Sequence, residues 1–272
     1  MQSTATVLTT LHRINVLTSD VFQVATPQLE FVEFSSAGRY SAGMFTGIVQ
    51  GLAQLVRLED STGLRRLDLA LPPDFDDGLK LGASVSVEGV CLTVAALAAP
   101  GWASFDVMQQ TLATTTLGAL ATNSLVNVER AAREGAEVGG HPLSGHIDFT
   151  ARVARVMQPE NNHVLRFAVP APWMRYVFAK GYIAVNGASL TVAEAGRETA
   201  GEQEGAGWFE VWLIPETLRQ TTFGSLRIGD AVNIEIERST QVLVDTVRSA
   251  VAERLDALLP ALAALGRERG LL

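Results

Sequence analysis

Two short motifs carry the side chains best suited to chemistry. Cys91 and Thr93 stand two apart in Gly89-Val90-Cys91-Leu92-Thr93-Val94, as do Ser189 and Thr191 in Gly187-Ala188-Ser189-Leu190-Thr191-Val192. In a strand, side chains two apart point the same way, so each motif offers a thiol or a hydroxyl beside a threonine on one face. A cysteine among valine and leucine is ordinarily a small buried hydrophobe. What favours chemistry is that the exchange of Cys for Ser falls inside an otherwise repeated motif. A third motif, Gly139-Gly140-His141-Pro142-Leu143-Ser144-Gly145-His146, sets two imidazoles on a glycine-rich turn. Imidazole titrates near neutral pH, and glycine lets backbone N–H groups approach a ligand. The motifs thus offer the thiol of Cys91, the hydroxyls of Thr93, Ser189 and Thr191, and the imidazoles of His141 and His146.

These motifs belong to a duplication. The stretch from Thr46 to Arg130 recurs from Ser144 to Arg238: the first motif returns 98 positions on, and Thr111-Leu112 and Asn127-Val128-Glu129 return 106 positions on as Thr217-Leu218 and Asn233-Ile234-Glu235. The second copy thus holds eight extra residues, in the polar run Gly196 to Gly207. A unit of this length is a domain rather than a solenoid repeat. By this alignment His146 takes the place of Ile48, so one imidazole belongs to the second copy alone.

Within each copy the pattern has period two. Leu67, Leu69 and Leu71, then Val85 and Val87, alternate with polar or small residues, as do Leu165, Phe167 and Val169, then Ile183 and Val185. Short strands broken by Gly, Pro and Asn predict a closed antiparallel barrel in each copy, an all-β fold. Leu79 to Gly82 and Leu226 to Asp230 read as turns feeding strands, and Pro72 to Leu79 and Pro172 to Phe178 as the helical candidate of each copy. Asp106 to Thr111 and Ile214 to Arg219 read as strand ends, with Pro215 marking an edge with free amides and carbonyls. After Glu237 the period changes: Val244, Val247, Val251, Leu255, Leu258 and Leu262 follow steps of three and four, an amphipathic helix with Ser239 or Thr240 as N-cap and a kink or end at Pro260. A narrow apolar seam outside the duplicated unit calls for a partner helix, hence oligomerisation.

Composition narrows the function. A net charge of −8 argues against nucleic acid or an anionic membrane as partner. No apolar run reaches the roughly 20 residues that span a bilayer. One cysteine excludes an intrachain disulfide and fits a reducing, cytoplasmic compartment. Four histidines without HExxH or CxxC spacing predict no metal. Residues 1–43 lie outside the repeat and lack the features of a signal peptide, so an upstream start codon or a poorly ordered leader is the expectation there.

Met44-Phe45-Thr46-Gly47-Ile48, the Gly-Val-Cys-Leu-Thr-Val strand, Gly-Gly-His-Pro-Leu-Ser-Gly-His, Gly-Ala-Ser-Leu-Thr-Val and Ile-Pro-Glu-Thr-Leu together resemble the riboflavin synthase alpha-chain family, a lumazine-binding double-barrel family, from Met44 to about Leu259. The resemblance implies two tandem six-stranded Greek-key barrels, residues 44–140 and 141–238, and a C-terminal trimerisation helix and tail, residues 239–272. It implies a homotrimer, no cofactor and no metal, and it suggests association with lumazine synthase. The implied reaction is a dismutation in which two molecules of 6,7-dimethyl-8-ribityllumazine exchange a four-carbon unit, giving riboflavin and 5-amino-6-(ribitylamino)uracil.

Carried over by position, the first-barrel pocket comprises Gly47, Ile48, Val49, Cys91, Leu92, Thr93, Asp106, Val107, Met108, Gln109, Gln110 and Thr111. The second comprises Gly145, His146, Ile147, Lys180, Ser189, Leu190, Thr191, Ile214, Pro215, Glu216, Thr217, Leu218 and Arg219. Phe45 is expected to help position substrate at a subunit interface. Under the resemblance the catalytic residues are His146, Ser189, Cys91 and Thr191, with His146 transferring the proton, Ser189 or Cys91 activating or supplying the nucleophile, and amide donors along the Ile214 to Leu218 edge stabilising charge on the ring. The chain departs from the commoner pattern at Asn186, where some members have Asp, and at Glu237, Pro142 and Gln110. Two rival readings are a non-catalytic lumazine- or flavin-binding antenna protein, which generally loses the catalytic side chains, and a flavin module of an oxidoreductase, which a glycine-rich nucleotide-binding domain would follow.

Overall fold

The computed structural model describes residues 44–133, 135–160, 162–197 and 205–268. The leader, residues 1–43, lies outside the described residues, as does most of the insertion, at 198–204.

The first copy is a closed barrel of β1 (Gly51–Ser61), β2 (Leu64–Ala70), β3 (Ser84–Val87), β4 (Val90–Ala96), β5 (Trp102–Met108) and β6 (Leu125–Arg130), in the antiparallel order β1-β2-β5-β4-β3-β6 of a Greek key. The second copy repeats it with β7 (Phe149–Met157), β8 (His163–Val169), β9 (Tyr182–Val185), β10 (Ala188–Thr191), β11 (Glu194–Arg197), β12 (Gly207–Leu213) and β13 (Ala231–Glu235), in the order β10-β9-β13-β7-β8-β12-β11. The seventh strand arises because the counterpart of β4 changes neighbours: β10 pairs with β9 and β11 with β12, with Val192 and Ala193 between them. In the first copy the same place is a register shift between Val94 and Ala96, and β4 continues through it.

The period-two residues fill the barrels. Leu67, Leu69, Val85, Leu165 and Val185 are fully buried. Each contributes about 1.5–3 kcal/mol by leaving water.

Three elements differ from the sequence reading. Pro72 to Leu79 is a run of turns and Pro172 to Phe178 holds only a single 3-10 turn, Met174–Tyr176, whereas each copy has a helix after its next-to-last strand, α1 (Gln109–Thr114) after β5 and α2 (Pro215–Gln220) after β12. Pro215 marks no open edge; it occupies the first turn of α2, where its missing N–H costs nothing. The C-terminal helix α3 (Arg238–Glu268) is preceded by Glu237, two or three residues before the expected N-cap, and runs through Pro260 without ending.

Two asparagines hold the copies together. The Asn127 side chain accepts from Thr222 N at 2.8 Å and donates to Asn186 O at 3.0 Å. Its counterpart Asn233 accepts from Thr116 N and donates to Glu88 O, both at 2.8 Å. The β3–β4 and β9–β10 hairpins meet back to back, so that a Cβ on Gly89 would lie 2.7 Å from Gly187 N. Both hairpins have two-residue loops with positive φ throughout, 49° and 82° at Glu88-Gly89 and 44° and 82° at Asn186-Gly187. Asn-Gly suits this turn; glutamate does not. Glu88 is held by its carboxyl, which accepts from Asn127 N at 2.6 Å, as Asn186 accepts from Asn233 N at 2.7 Å.

Burial pushes the Glu88 acid up to about 8, against the opposing pull of the Asn127 N–H. Below about 4.5 the group is neutral whether the chain is folded or not; between 4.5 and about 8 only the unfolded chain ionises, so folding weakens as pH rises. The Glu88→Gln variant is therefore expected to gain on the wild type across that window, by at most about 1.4 kcal/mol per pH unit. Urea midpoints of both proteins from pH 4 to 9 check this; a pH-independent difference would contradict it.

Candidate functional site

Each copy begins with a lead segment tied down by a buried glutamate. Glu129 accepts from Thr46 N, Thr46 Oγ1 and Gly47 N at 2.6, 2.7 and 3.0 Å. Glu235 accepts from Ser144 N, Ser144 Oγ and Gly145 N at 2.7, 2.7 and 3.0 Å. Burial raises the pKa of both carboxyls, and these donors pull it back. Once anchored, the segments cross over. Ser189 N donates to Gly47 O, and Cys91 N donates to Gly145 O, each at 2.8 Å.

This crossing changes the expected grouping. Gly47, Ile48 and Val49 of the first copy line a cavity of about 300 Å³ with Ser189, Leu190, Glu216 and Thr217 of the second. Gly145, His146 and Ile147 of the second copy line a cavity of about 220 Å³ with Cys91, Gln110 and Thr111 of the first. The sequence repeat assigned each lead segment to its own copy, but the hairpins meet back to back and bring each pocket strand under the other copy's segment. Both cavities lie outside the barrels, whose interiors are filled.

Glycine is required at the crossing. Gly145 has φ +75°, and a Cβ there would lie 2.6 Å from Cys91 Cβ; Gly47 has φ +76° and would meet Ser189 Cβ at 2.5 Å.

The two cavities are armed differently. His141 Nδ1 lies 2.5 Å from Ser189 Oγ, its backbone N–H donates to Thr46 O, and its ring stacks on Tyr182 at 5.2 Å between centroids. Burial lowers its pKa, against the charge of Glu237, so it is neutral near pH 7 and able to accept the serine proton. Its Nε2 is buried without a partner among the described residues. Sequence reasoning preferred His146 and left His141 out of the site. The available signal was Gly139-Gly140: a Cβ on Gly140 would stand 2.8 Å from Ser189 Cβ, so the glycine lets His141 reach the serine. In the other cavity Cys91 is joined by His146, which is exposed. Burial pushes the Cys91 thiol up, so it stays protonated and is a weak nucleophile.

Several expected residues line neither cavity. Phe45 is 1% exposed, packs with Leu143 and Ala184, and pairs its backbone with Leu143; its ring is inside the protein, and it can act on a ligand only through the segment it anchors. Leu92 and Val107 are buried in the first barrel. Thr93 and Thr191 are exposed on their strands, Met108, Ile214 and Pro215 are exposed at the strand-to-helix joints, and Gln109 opens α1. Asp106 pairs with Arg66 at 2.8 Å, and Lys180 sits at φ 67° in a turn. The stretch after Ile214 is helical, with Leu218 N bonded to Ile214 O, so its amides belong to the first turn of a helix and not to a sheet edge. Leu218 and Arg219 line instead a larger cleft between the copies, of about 860 Å³. Residues missed by sequence reasoning are Ala188, Gln220 and Thr221 on the serine side and Val90, Thr114 and Thr115 on the cysteine side.

The model of the lumazine binding domain family matches residues 46–131 and 144–237. Riboflavin synthase of Escherichia coli (strain K12) is 45% identical over 216 residues, 79% of this chain and 97% of that protein. The chain belongs to the riboflavin synthase family. Riboflavin synthase of Mycobacterium tuberculosis (strain ATCC 25618 / H37Rv) is 40% identical over 207 residues, 76% of this chain and all of that protein. Among solved structures, LumP complexed with 6,7-dimethyl-8-(1'-D-ribityl) lumazine aligns with a TM-score of 0.60 at 24% identity, over 71% of this chain and 99% of that one. That likeness is one of fold.

For this member of the family, Gly145→Ala is expected to cost roughly 1–3 kcal/mol through positive φ and the clash with Cys91. Gly63→Ala, at φ +80° with nothing within 4 Å, bears only the conformational cost and serves as control. Equal thermal shifts in the two variants would mean that the crossing is loose.

Proposed function

We propose that this protein is a riboflavin synthase, dismutating two molecules of 6,7-dimethyl-8-ribityllumazine into riboflavin and 5-amino-6-(ribitylamino)uracil. The observation that carries the reading is a pair of cavities built alike and armed differently, Ser189 with His141 in one and Cys91 with His146 in the other. One reaction between two identical molecules, one donating four carbons and one accepting them, needs that combination. The retention of Cys91, His146 and Ser189 together favours the enzyme over an antenna protein.

The 7-methyl group of the substrate is an unusual carbon acid, because its anion spreads into the pyrimidine ring, and a base of modest strength suffices. His146, exposed beside Cys91, takes that proton. Ser189, its proton accepted by the neutral His141, supplies or activates the nucleophile that adds to the other ring. The raised pKa of Cys91 favours Ser189 over Cys91 in that role. Holding two rings in register supplies a large share of the rate.

The working form is a homotrimer in the cytoplasm. Val247, Val251, Leu255 and Leu258 of α3 are each more than half exposed, a seam without a partner among the described residues, while Val244 packs on the second barrel. The Leu262 side chain lies outside the described residues. No described helix is long and apolar enough to cross a membrane.

Incubation with 6,7-dimethyl-8-ribityllumazine alone is expected to give riboflavin and the aminouracil in equal amounts by chromatography; tight binding without turnover would contradict the proposal. Ser189→Ala and His146→Ala are each expected to lower turnover about 10²-fold or more with the assembly intact by light scattering. The double variant Val251→Asp, Leu255→Asp is expected to yield monomers; unchanged mass would sink the helix reading.

A further inference from the structure

The lead segments of the two copies differ conservatively at Thr46/Ser144 and Val49/Ile147, and in chemical character at two further positions. His146 stands where the first copy has Ile48, and Asp148 stands where it has Gln50. The imidazole and a carboxylate thus occur together, two residues apart, in one copy, and an apolar residue and a neutral amide occur together in the other. We infer that Asp148 is a positioning residue for His146, fixing the segment that carries it to the first turn of α3 and setting a negative charge beside the imidazole. This inference rests on the proposed function, in which His146 takes the proton.

The geometry separates the two jobs of the side chain. Gln50 caps the first barrel by accepting from Arg130 N at 2.9 Å, and Asp148 Oδ2 does the same for Ile236 N at 2.7 Å. An amide is sufficient for that bond, as Gln50 demonstrates. Asp148 Oδ2 also accepts from Gln241 Nε2 at 2.9 Å, and Gln241 in turn donates from its backbone to Glu237 O and from its side chain to Ile236 O. The lead segment is thereby tied to the start of α3, which the first copy has no equivalent of. Ser144, His146, Asp148, Glu235, Arg238 and Gln241 line a cavity of about 250 Å³ on this side of the imidazole. The ionisable groups that share a cavity lining with His146 are Asp148 on its own segment, Glu235 from β13, Arg238 from α3 and the Cys91 thiol from β4. The Glu235 carboxyl is engaged by Ser144 and Gly145. Burial raises the Asp148 pKa, with the Ile236 and Gln241 donors and the charges of Arg238 and His146 acting against it. A carboxylate fixed beside an imidazole orients the ring and offsets the charge it gains on taking a proton.

Asp148→Gln tests this, because it installs the residue the first copy uses for the same backbone bond. Turnover with 6,7-dimethyl-8-ribityllumazine is expected to fall about tenfold with KM within about twofold, as the imidazole loses the carboxylate that positions it. The double variant Asp148→Gln, His146→Ala is expected to be no slower than His146→Ala. Should the glutamine variant fail to fold, Asp148→Asn carries the same expectations. An unchanged kcat would overturn the inference, as would a loss confined to KM. Full activity in His146→Ala would overturn this inference and the assignment of the base together, whereas an inactive His146→Ala beside an unaltered Asp148→Gln overturns this inference alone.

Discussion

Two backbone hydrogen bonds organise this molecule, Ser189 N to Gly47 O and Cys91 N to Gly145 O. Each lets the lead segment of one copy roof the pocket strand of the other. They can form only where no side chain intervenes, so the glycines at 47 and 145 and the positive φ they adopt are consequences of the crossing. Around it the remaining contacts fall into place. Glu129 and Glu235 hold the segments at their roots, and Asn127 and Asn233 hold the barrels at the distance the crossing needs. Each cavity is lined by residues of both copies.

The chemistry uses this symmetry and departs from it at a few positions. Ser189 has a buried histidine at hydrogen-bond distance, while Cys91 has an exposed one and a thiol that burial keeps protonated. Glu88 stands opposite Asn186, so the contact between hairpins holds one carboxyl, neutral at physiological pH because water is excluded from it. A duplicated scaffold supplies two places for one ring, and the substitutions between copies make the places unequal.

Much of the architecture was legible in the sequence. The period-two residues from Leu67 to Val87 and from Leu165 to Val185 all face the barrel interiors, apart from the half-buried Leu71, because alternation states which face is apolar. The seam of α3 was equally plain. Other features could not be read. Helices α1 and α2 have six residues each, too few for a 3.6-residue period to show, so Pro215 was read as a sheet edge when it is a helix start. An internal repeat identifies equivalent residues without stating which copy they serve, and the exchange of lead segments left no mark in the pattern. His141 shared its motif with His146, and only the approach of Gly140 to Ser189, a three-dimensional fact, distinguishes their roles.

The account stands on pockets made jointly by the two copies, and a crystal structure with a non-reactive analogue of 6,7-dimethyl-8-ribityllumazine tests it most directly. It predicts two rings per chain, one between Ile48 and Ser189 and one between His146 and Cys91. Rings contacted in each case by the residues of a single copy, with Ile48 beside Cys91 and His146 beside Ser189, would contradict it.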